Sequence, residues 1–312
     1  MGRVFESEPV SEANFDELSY LLANPDVAEA VTRRKLKSGR QHFERWGRHE
    51  GRRQIKPQVA PFINYESRPP SADNALDLFD GRWASNIPGH GRGTADLFED
   101  DRIHWFRQAF GDVAGRRILE LGPLEGGHTY MLARDGAQVT AVEANTGAFL
   151  RCLVIKEILD IRATFLLGDF VPFIAGTAEH FDAVIACGVL YHMERPLDLL
   201  DHIRRIADAI LIWTHVFEDE PLRARKLRHK FADTPKIETR GSLAIELWEQ
   251  HYLDALNWSH FCGGQGRTSV WLTKRGLCDV LTHHGFDVTI GREDRDHPNG
   301  PAMLLLARRV SS

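Results

Sequence analysis

The strongest constraint on this chain is an alternation. Between residues 116 and 310, short apolar runs exchange with segments of helical spacing. RRILELG (116–122), AQVTAVEAN (137–145), ATFLLGDF (163–170), FDAVIACGVLYH (181–192) and DAILIWTHV (208–216) read as strands. GHTYMLARDG (127–136), GAFLRCLVIKEILD (147–160) and PLDLLDHIRRI (196–206) read as the helices between them. A further helix (272–285) precedes two last strands, FDVTIGRE (286–293) and AMLLLARRV (302–310). Such alternation folds into an α/β, doubly wound, mostly parallel seven-stranded sheet with helices on both faces. AVIACGVL is apolar throughout, as a strand covered on both faces requires.

Upstream, residues 13–50 read as a small helical module. Asn24 is expected to cap a helix whose first position is Pro25. A second helix from about Ser38 carries Phe43 and Trp46 and ends by Gly47 and Gly51. The chain is accordingly divided into a module at 1–56, a Pro-rich polar linker at 57–75 and the α/β domain at 76–312. Residues 217–270 interrupt the alternation and are expected to form a long loop that serves as an acceptor-site lid. The net charge of −5 implies no global attraction to nucleic acid or to an anionic membrane. No apolar run reaches membrane-spanning length and no signal pattern opens the chain, so a cytoplasmic protein is expected. The cysteines (Cys152, Cys187, Cys262, Cys278) are scattered, as in a reducing compartment, with no pairing that suggests zinc.

The first strand runs into a glycine turn, LELGPLEGGHTY (119–130). Turns of this kind usually cradle phosphate, yet this one carries Glu120 and Glu125. A P-loop needs Lys where His128 stands, and a GxGxxG fingerprint fails at Leu124. The two acids would repel a pyrophosphate. S-adenosylmethionine solves the problem, since it has a cationic amino-acid end and no phosphate. Glu120 is then the acid that orients the ammonium group, with Gly122 and Gly126 giving the backbone room. Glu143, ending the second strand, would accept from the ribose hydroxyls. Asp169, after the third, would meet the adenine amino group. Glu125 occupies a variable position and is expected to face water.

On these residues the chain resembles a class I S-adenosylmethionine-dependent methyltransferase with a Rossmann-like fold. GGHTYML, ANTGAFLRC and CGVLYHMERPLDLLDHI resemble the tRNA wobble-uridine carboxymethyltransferase branch. The N-terminal YLLANPDVAEAV…HFERWGRHEGR resembles a short bacterial helical module. The first resemblance implies a pocket lined by Glu120, Gly122, Gly126, Glu143, Asp169 and Gly188, with Val189, Tyr191 and His192 near the transferred group. Two departures matter. Leu124 replaces the middle glycine of the turn, which implies a different backbone path. The carboxymethyl enzymes also use lysines upstream of the turn, and no Lys occurs between Lys56 and Lys156. Arg82, Arg92 and Arg102 stand upstream instead, and Arg does not simply replace Lys. Ordinary S-adenosylmethionine and methyl transfer are therefore favoured.

Methyl transfer needs alignment and exclusion of water, and a base if the acceptor is a hydroxyl. His192 and His215 follow strand ends and are the candidate bases. Tyr191 is placed to close over the sulfonium. His128 is expected to be a cofactor or structural contact, and Cys187 a small core residue. Trp258, His260 and Trp271 would supply flat acceptor surfaces, with His297 and Asn299 at the border. His283 and His284 read as surface residues, and no metal is expected. The acceptor is expected to be a small molecule or saccharide hydroxyl. The alternative is RNA, suggested by the basic stretches at 33–56 and 222–230; a non-catalytic binding protein is a third reading. Oligomeric state is not encoded in any pattern here.

Overall fold

The computed structural model describes residues 7–12, 14–55, 66–253 and 266–310. These fall into two units, divided between Pro69 and Pro70.

In the first unit, β1 (Ser7–Pro9) precedes α1 (Glu17–Ala23), α2 (Pro25–Thr32) and α3 (Gly39–His42), and β2 (Arg53–Ile55) pairs antiparallel with β1. The π-turn Phe43–Gly47 continues α3. Tyr20, Val27 and Phe43 form the core. Pro25 opens α2 as expected, but Asn24 does not cap it. Its amide instead donates to the carbonyls of Tyr20 and Arg53, tying α1 to β2. Part of the basic stretch is neutralised: Arg33 pairs with Glu29, Arg40 with Glu12 and Glu44, Arg48 with Glu12, and Arg52 with Asp26 and Glu50.

The second unit begins with α4 (Ala72–Asp77), capped by Ser71, so residues 72–75 of the expected linker are helical. A two-residue hairpin follows, β3 (Asn86–Ile87) and β4 (Gly91–Arg92), then α5 (Asp101–Phe110). The alternation unfolds as β5 (Arg117–Leu121), α6 (Gly127–Arg134), β6 (Gln138–Glu143), α7 (Thr146–Ile158), β7 (Ala163–Leu167), α8 (Phe170–Gly176), β8 (Ala183–Cys187), α9 (Pro196–Ile206) and β9 (Ala209–His215). Next come α10 (Asp219–Ala224), β10 (Lys236–Arg240), β11 (Leu243–His251), β12 (Thr268–Leu272), α11 (Lys274–His283), β13 (Phe286–Asp294) and β14 (Ala302–Arg309).

Seven strands form one sheet in the order β13-β14-β9-β8-β5-β6-β7. β9, β8, β5, β6 and β7 are parallel, and β14 runs antiparallel to both neighbours. The order reverses at β5, whose successors lie on one side and β8 on the other. Ligands of open α/β sheets bind at the carboxyl ends beside such a reversal. The strand expected over 181–192 stops at Cys187. Gly188 takes φ +85, and Leu190–His192 turn as a 3-10 segment before Pro196 starts α9.

The interruption at 217–270 is not simply a long loop. Within its described residues it builds an antiparallel sheet, β10-β11-β12. Ile245, Leu247 and Leu272 of that sheet share a core with Leu197, Leu200 and Leu281. Residues 254–265, with Trp258, His260 and Cys262, lie outside the described residues. His284 is buried rather than at the surface, its Nε2 2.9 Å from Asp201.

Candidate active site at the strand ends

Around β5 the glycine turn is held by acids. Gly122 and Gly126 both have positive φ, and so does Leu124, at +57. That conformation costs a non-glycine residue roughly 1 kcal/mol. It persists because the Leu124 N–H donates to Glu143 Oε2 at 3.1 Å. Glu143 Oε1 accepts from the Asn145 N–H at 2.8 Å, so this acid braces the turn against the end of β6. Burial raises its pKa, against the opposing pull of those backbone donors.

Glu125 does not face water. It is fully buried and accepts from the N–H groups of Ala84 and Ser85, both at 2.9 Å, with Arg151 Nε 3.2 Å away. A buried carboxylate needs such partners, and here they fasten the segment before β3 onto the turn.

Glu120 is 2% exposed, and burial raises its pKa. Thr129 Oγ1 donates to its Oε2, and His128 Nδ1 stands 3.7 Å from Oε1. The other nitrogen of His128 is 3.0 Å from Asp100 Oδ2. Asp100 also accepts from Arg102 Nε. Burial alone would raise the Asp100 pKa, but the bonds from His128 and Arg102 outweigh it and hold the group well below the usual carboxylate range. Asp169 lies exposed after β7, where it caps α8 through the Val171 N–H.

On the other side of the reversal the site is made of rings. Tyr191 lies 4.1 Å from His192, 4.6 Å from His215 and 5.9 Å from Trp213, centroid to centroid. Trp271, from β12, stacks on His215 at 5.0 Å and 10°. His297 reaches both His215 and Trp213. His215 Nδ1 is 2.9 Å from the Gly300 carbonyl and 3.2 Å from that of Pro301. Carbonyls only accept, so Nδ1 carries the hydrogen and Nε2 keeps its lone pair. Burial pushes the pKa of His215 down to about 4, and the neighbouring His297 adds to this. His192 is likewise lowered to about 4 by burial, with His215 contributing, and its Nδ1 bonds the Tyr252 hydroxyl at 3.0 Å. Both rings are therefore neutral near pH 7. Cys187 is pushed up to about 12 by burial, an inert thiol.

Residues 119–209 match a family model described as a methyltransferase domain. The N-terminal domain of EvdMO1, solved in the presence of SAH and D-fucose, superposes with a TM-score of 0.57 at 23% identity. That match covers 77% of this chain and 95% of the other and concerns the fold. Residues 119–209 thus carry a methyltransferase domain, and the fold is shared with a chain solved with SAH. A tRNA U34 carboxymethyltransferase of Marinobacter nauticus is 34% identical over 99 residues, 31% of this chain and 30% of that protein. The protein of the same name from Azotobacter vinelandii is 25% identical over 210 residues, 64% of each chain. The chain thus spans less than two thirds of the length of these curated relatives.

The methyltransferase fold gathers Glu120, Gly122, Gly126, His128 and Glu143 around one turn. It sets Gly188, Val189, Tyr191 and His192 in the bend after β8, and His215 at the end of β9. Asp169 sits apart as a helix cap, and Asn299 is exposed. Sequence reasoning missed Asp100, Thr129 and Tyr252. The Asp-Asp-Arg run at a helix start was a signal for Asp100; nothing in sequence joins Tyr252 to His192. Among the described residues, no group of three His, Cys, Asp or Glu is placed to hold a metal. No helix there is long and apolar enough to cross a membrane.

Proposed function

We propose that the chain methylates a hydroxyl of a small-molecule or saccharide acceptor, with His215 as the general base. The observation that carries this reading is the state of His215. Its Nδ1–H is committed to two backbone carbonyls, burial keeps the ring neutral, and Nε2 remains able to take a proton. Tyr191, Trp213 and Trp271 surround it with flat faces suited to an aromatic or sugar ring. Glu120, Gly122 and Gly126 would hold the amino-acid end of S-adenosylmethionine, Glu143 the ribose and Asp169 the adenine edge. The cofactor supplies an activated methyl group. The protein's part is to align the acceptor, exclude water and receive the acceptor proton at Nε2.

Incubation of the purified protein with methyl-labelled cofactor and a host metabolite extract tests this by mass spectrometry. A methyl ether formed by the natural protein should fall about 10²–10⁴-fold with His215→Gln. Label that stays in the protein fraction or enters only RNA would contradict it. RNA is the second reading, favoured by the relatives named as tRNA-modifying enzymes. Against it, Arg223 and Arg228 are both paired with Asp219, and Arg225 stands 3.6 Å from Asp296. An RNA enzyme should bind tRNA with a steep salt dependence; flat, weak binding removes that reading.

A further inference from the structure

A second cavity lies at the opposite end of the sheet. α9 starts beyond the carboxyl end of β8 and finishes at Ile206, just before β9 begins. Its last turns therefore lie at the amino ends of the strands, away from the candidate active site. There α9, the end of α11 and the turn between β10 and β11 border a cavity of about 410 Å³. The size suits a small molecule. Arg204, Arg205 and Arg240 line it with three histidines and one acid, Asp201.

The charges of this wall are unevenly committed. Arg240 is spent on Asp198, Asp201 and Glu238. Asp201 is spent between Arg240 and His284, whose Nε2 is 2.9 Å away. Arg204 and Arg205 have no ion pair among the described residues, so both keep their charge for a ligand. The carboxyl end of α9 would ordinarily repel an anion. Arg309 offsets this by donating to the carbonyls of Arg204 and Ala207. The wall also holds a buried orphan, His284 Nδ1, which has no hydrogen-bond partner. Nε2 gives its hydrogen to the Asp201 carboxylate, so Nδ1 is an acceptor. Such an atom marks a wall that a donor from outside the chain completes.

Two uncommitted guanidinium groups on one wall match a dianion, and a phosphate monoester is mostly a dianion at neutral pH. We propose that this cavity is a second ligand site, separate from the methyl-transfer site, that binds the phosphoryl group of a small hydroxylated phosphate ester. The site binds and performs no chemistry. A nucleic-acid backbone fits it less well. The cavity is a bounded hollow, and Asp198, Glu238 and Asp208 beside Arg240 and Arg309 set acids against a longer polyanion. Arg240 and Gly241 come from the inserted sheet, so residues 217–270 build this site as well as bordering the first.

Calorimetry on the full chain with glucose 6-phosphate, inorganic phosphate and glucose tests the proposal. The natural protein should bind glucose 6-phosphate about tenfold or more tighter than glucose, and S-adenosylhomocysteine should not compete with it. Replacing both arginines, Arg204→Gln with Arg205→Gln, should weaken that binding by about tenfold or more and leave S-adenosylhomocysteine affinity within about twofold. Both arginines are exposed, and an unchanged thermal melt confirms that the variant is folded. The proposal is overturned if neither phosphate compound binds more tightly than glucose, or if the double variant binds them like the natural protein. Competition by S-adenosylhomocysteine also overturns it, by placing the ester in the methyl-transfer site. A double variant that loses affinity for tRNA alone makes the wall a nucleic-acid contact and overturns it too.

Discussion

On the β5–β7 side of the strand reversal, the two strand-end acids find partners close in the chain, while Glu125 and His128 reach further back. Glu120 meets Thr129, Glu143 meets Leu124 and Asn145, and each of these contacts spans fewer than twenty residues. On the β8–β9 side the partners come from far away. His192 bonds Tyr252 across sixty positions, and His215 bonds Gly300 across eighty-five. The first half is a turn built from one βαβ unit. The second is assembled only when the extra sheet and the last strand have docked. A local half can be shared by many chains that use the same cofactor, whereas a half made of distant elements is free to vary with the acceptor.

If the first half is over-determined by its acids, removing one should cost stability before anything else. Glu125→Ala leaves the N–H groups of Ala84 and buried Ser85, and the Arg151 guanidinium, without this acceptor, and should destabilise the fold by about 3–5 kcal/mol in urea titrations. A loss below about 1 kcal/mol would mean that the turn does not depend on this fastening.

The second half should instead reveal itself through pH. Both His192 and His215 have folded pKa values of about 4, below the ordinary 6.5. The unfolded chain therefore binds protons first as pH falls. The stability these rings retain at neutral pH is complete above about 6.5 and is lost progressively toward pH 4, on the order of 3 kcal/mol per ring. Replacing His215 by Gln should flatten that slope in melts between pH 7 and 4.5. An unchanged slope would place the titration elsewhere.

The smallest effect tests the departure within the turn. Leu124→Gly removes the left-handed strain but also some packing, and should change stability by less than about 1 kcal/mol. A large loss would show that the leucine side chain, not the backbone path, is what the turn needs.

The same contrast explains what was legible. The strands and helices of the sheet announce themselves by period, and Glu120 and Glu143 by their place at strand ends. Glu125 was misjudged because its partners, Ala84 and Ser85, are backbone groups of an irregular segment that no pattern marks. The extra sheet is hard to see in the sequence: Leu243, Ile245 and Leu247 alternate as a strand should, but polar neighbours and the flanking glycine-rich stretch mask the period. Tyr252 and Trp271 became part of the site only through docking of that sheet. Arg102 was visible as an upstream cation, but its fixed orientation depends on Asp100 and Trp213 together.

We propose that the two halves divide the labour, the β5–β7 side holding the cofactor and the β8–β9 side handling the acceptor. Calorimetric titration with S-adenosylhomocysteine of the natural protein, Glu143→Ala and His215→Ala tests it directly. Glu143→Ala should weaken binding by about tenfold or more, and His215→Ala should leave it within about threefold. Unchanged affinity in Glu143→Ala, or a large loss in His215→Ala, would contradict the division.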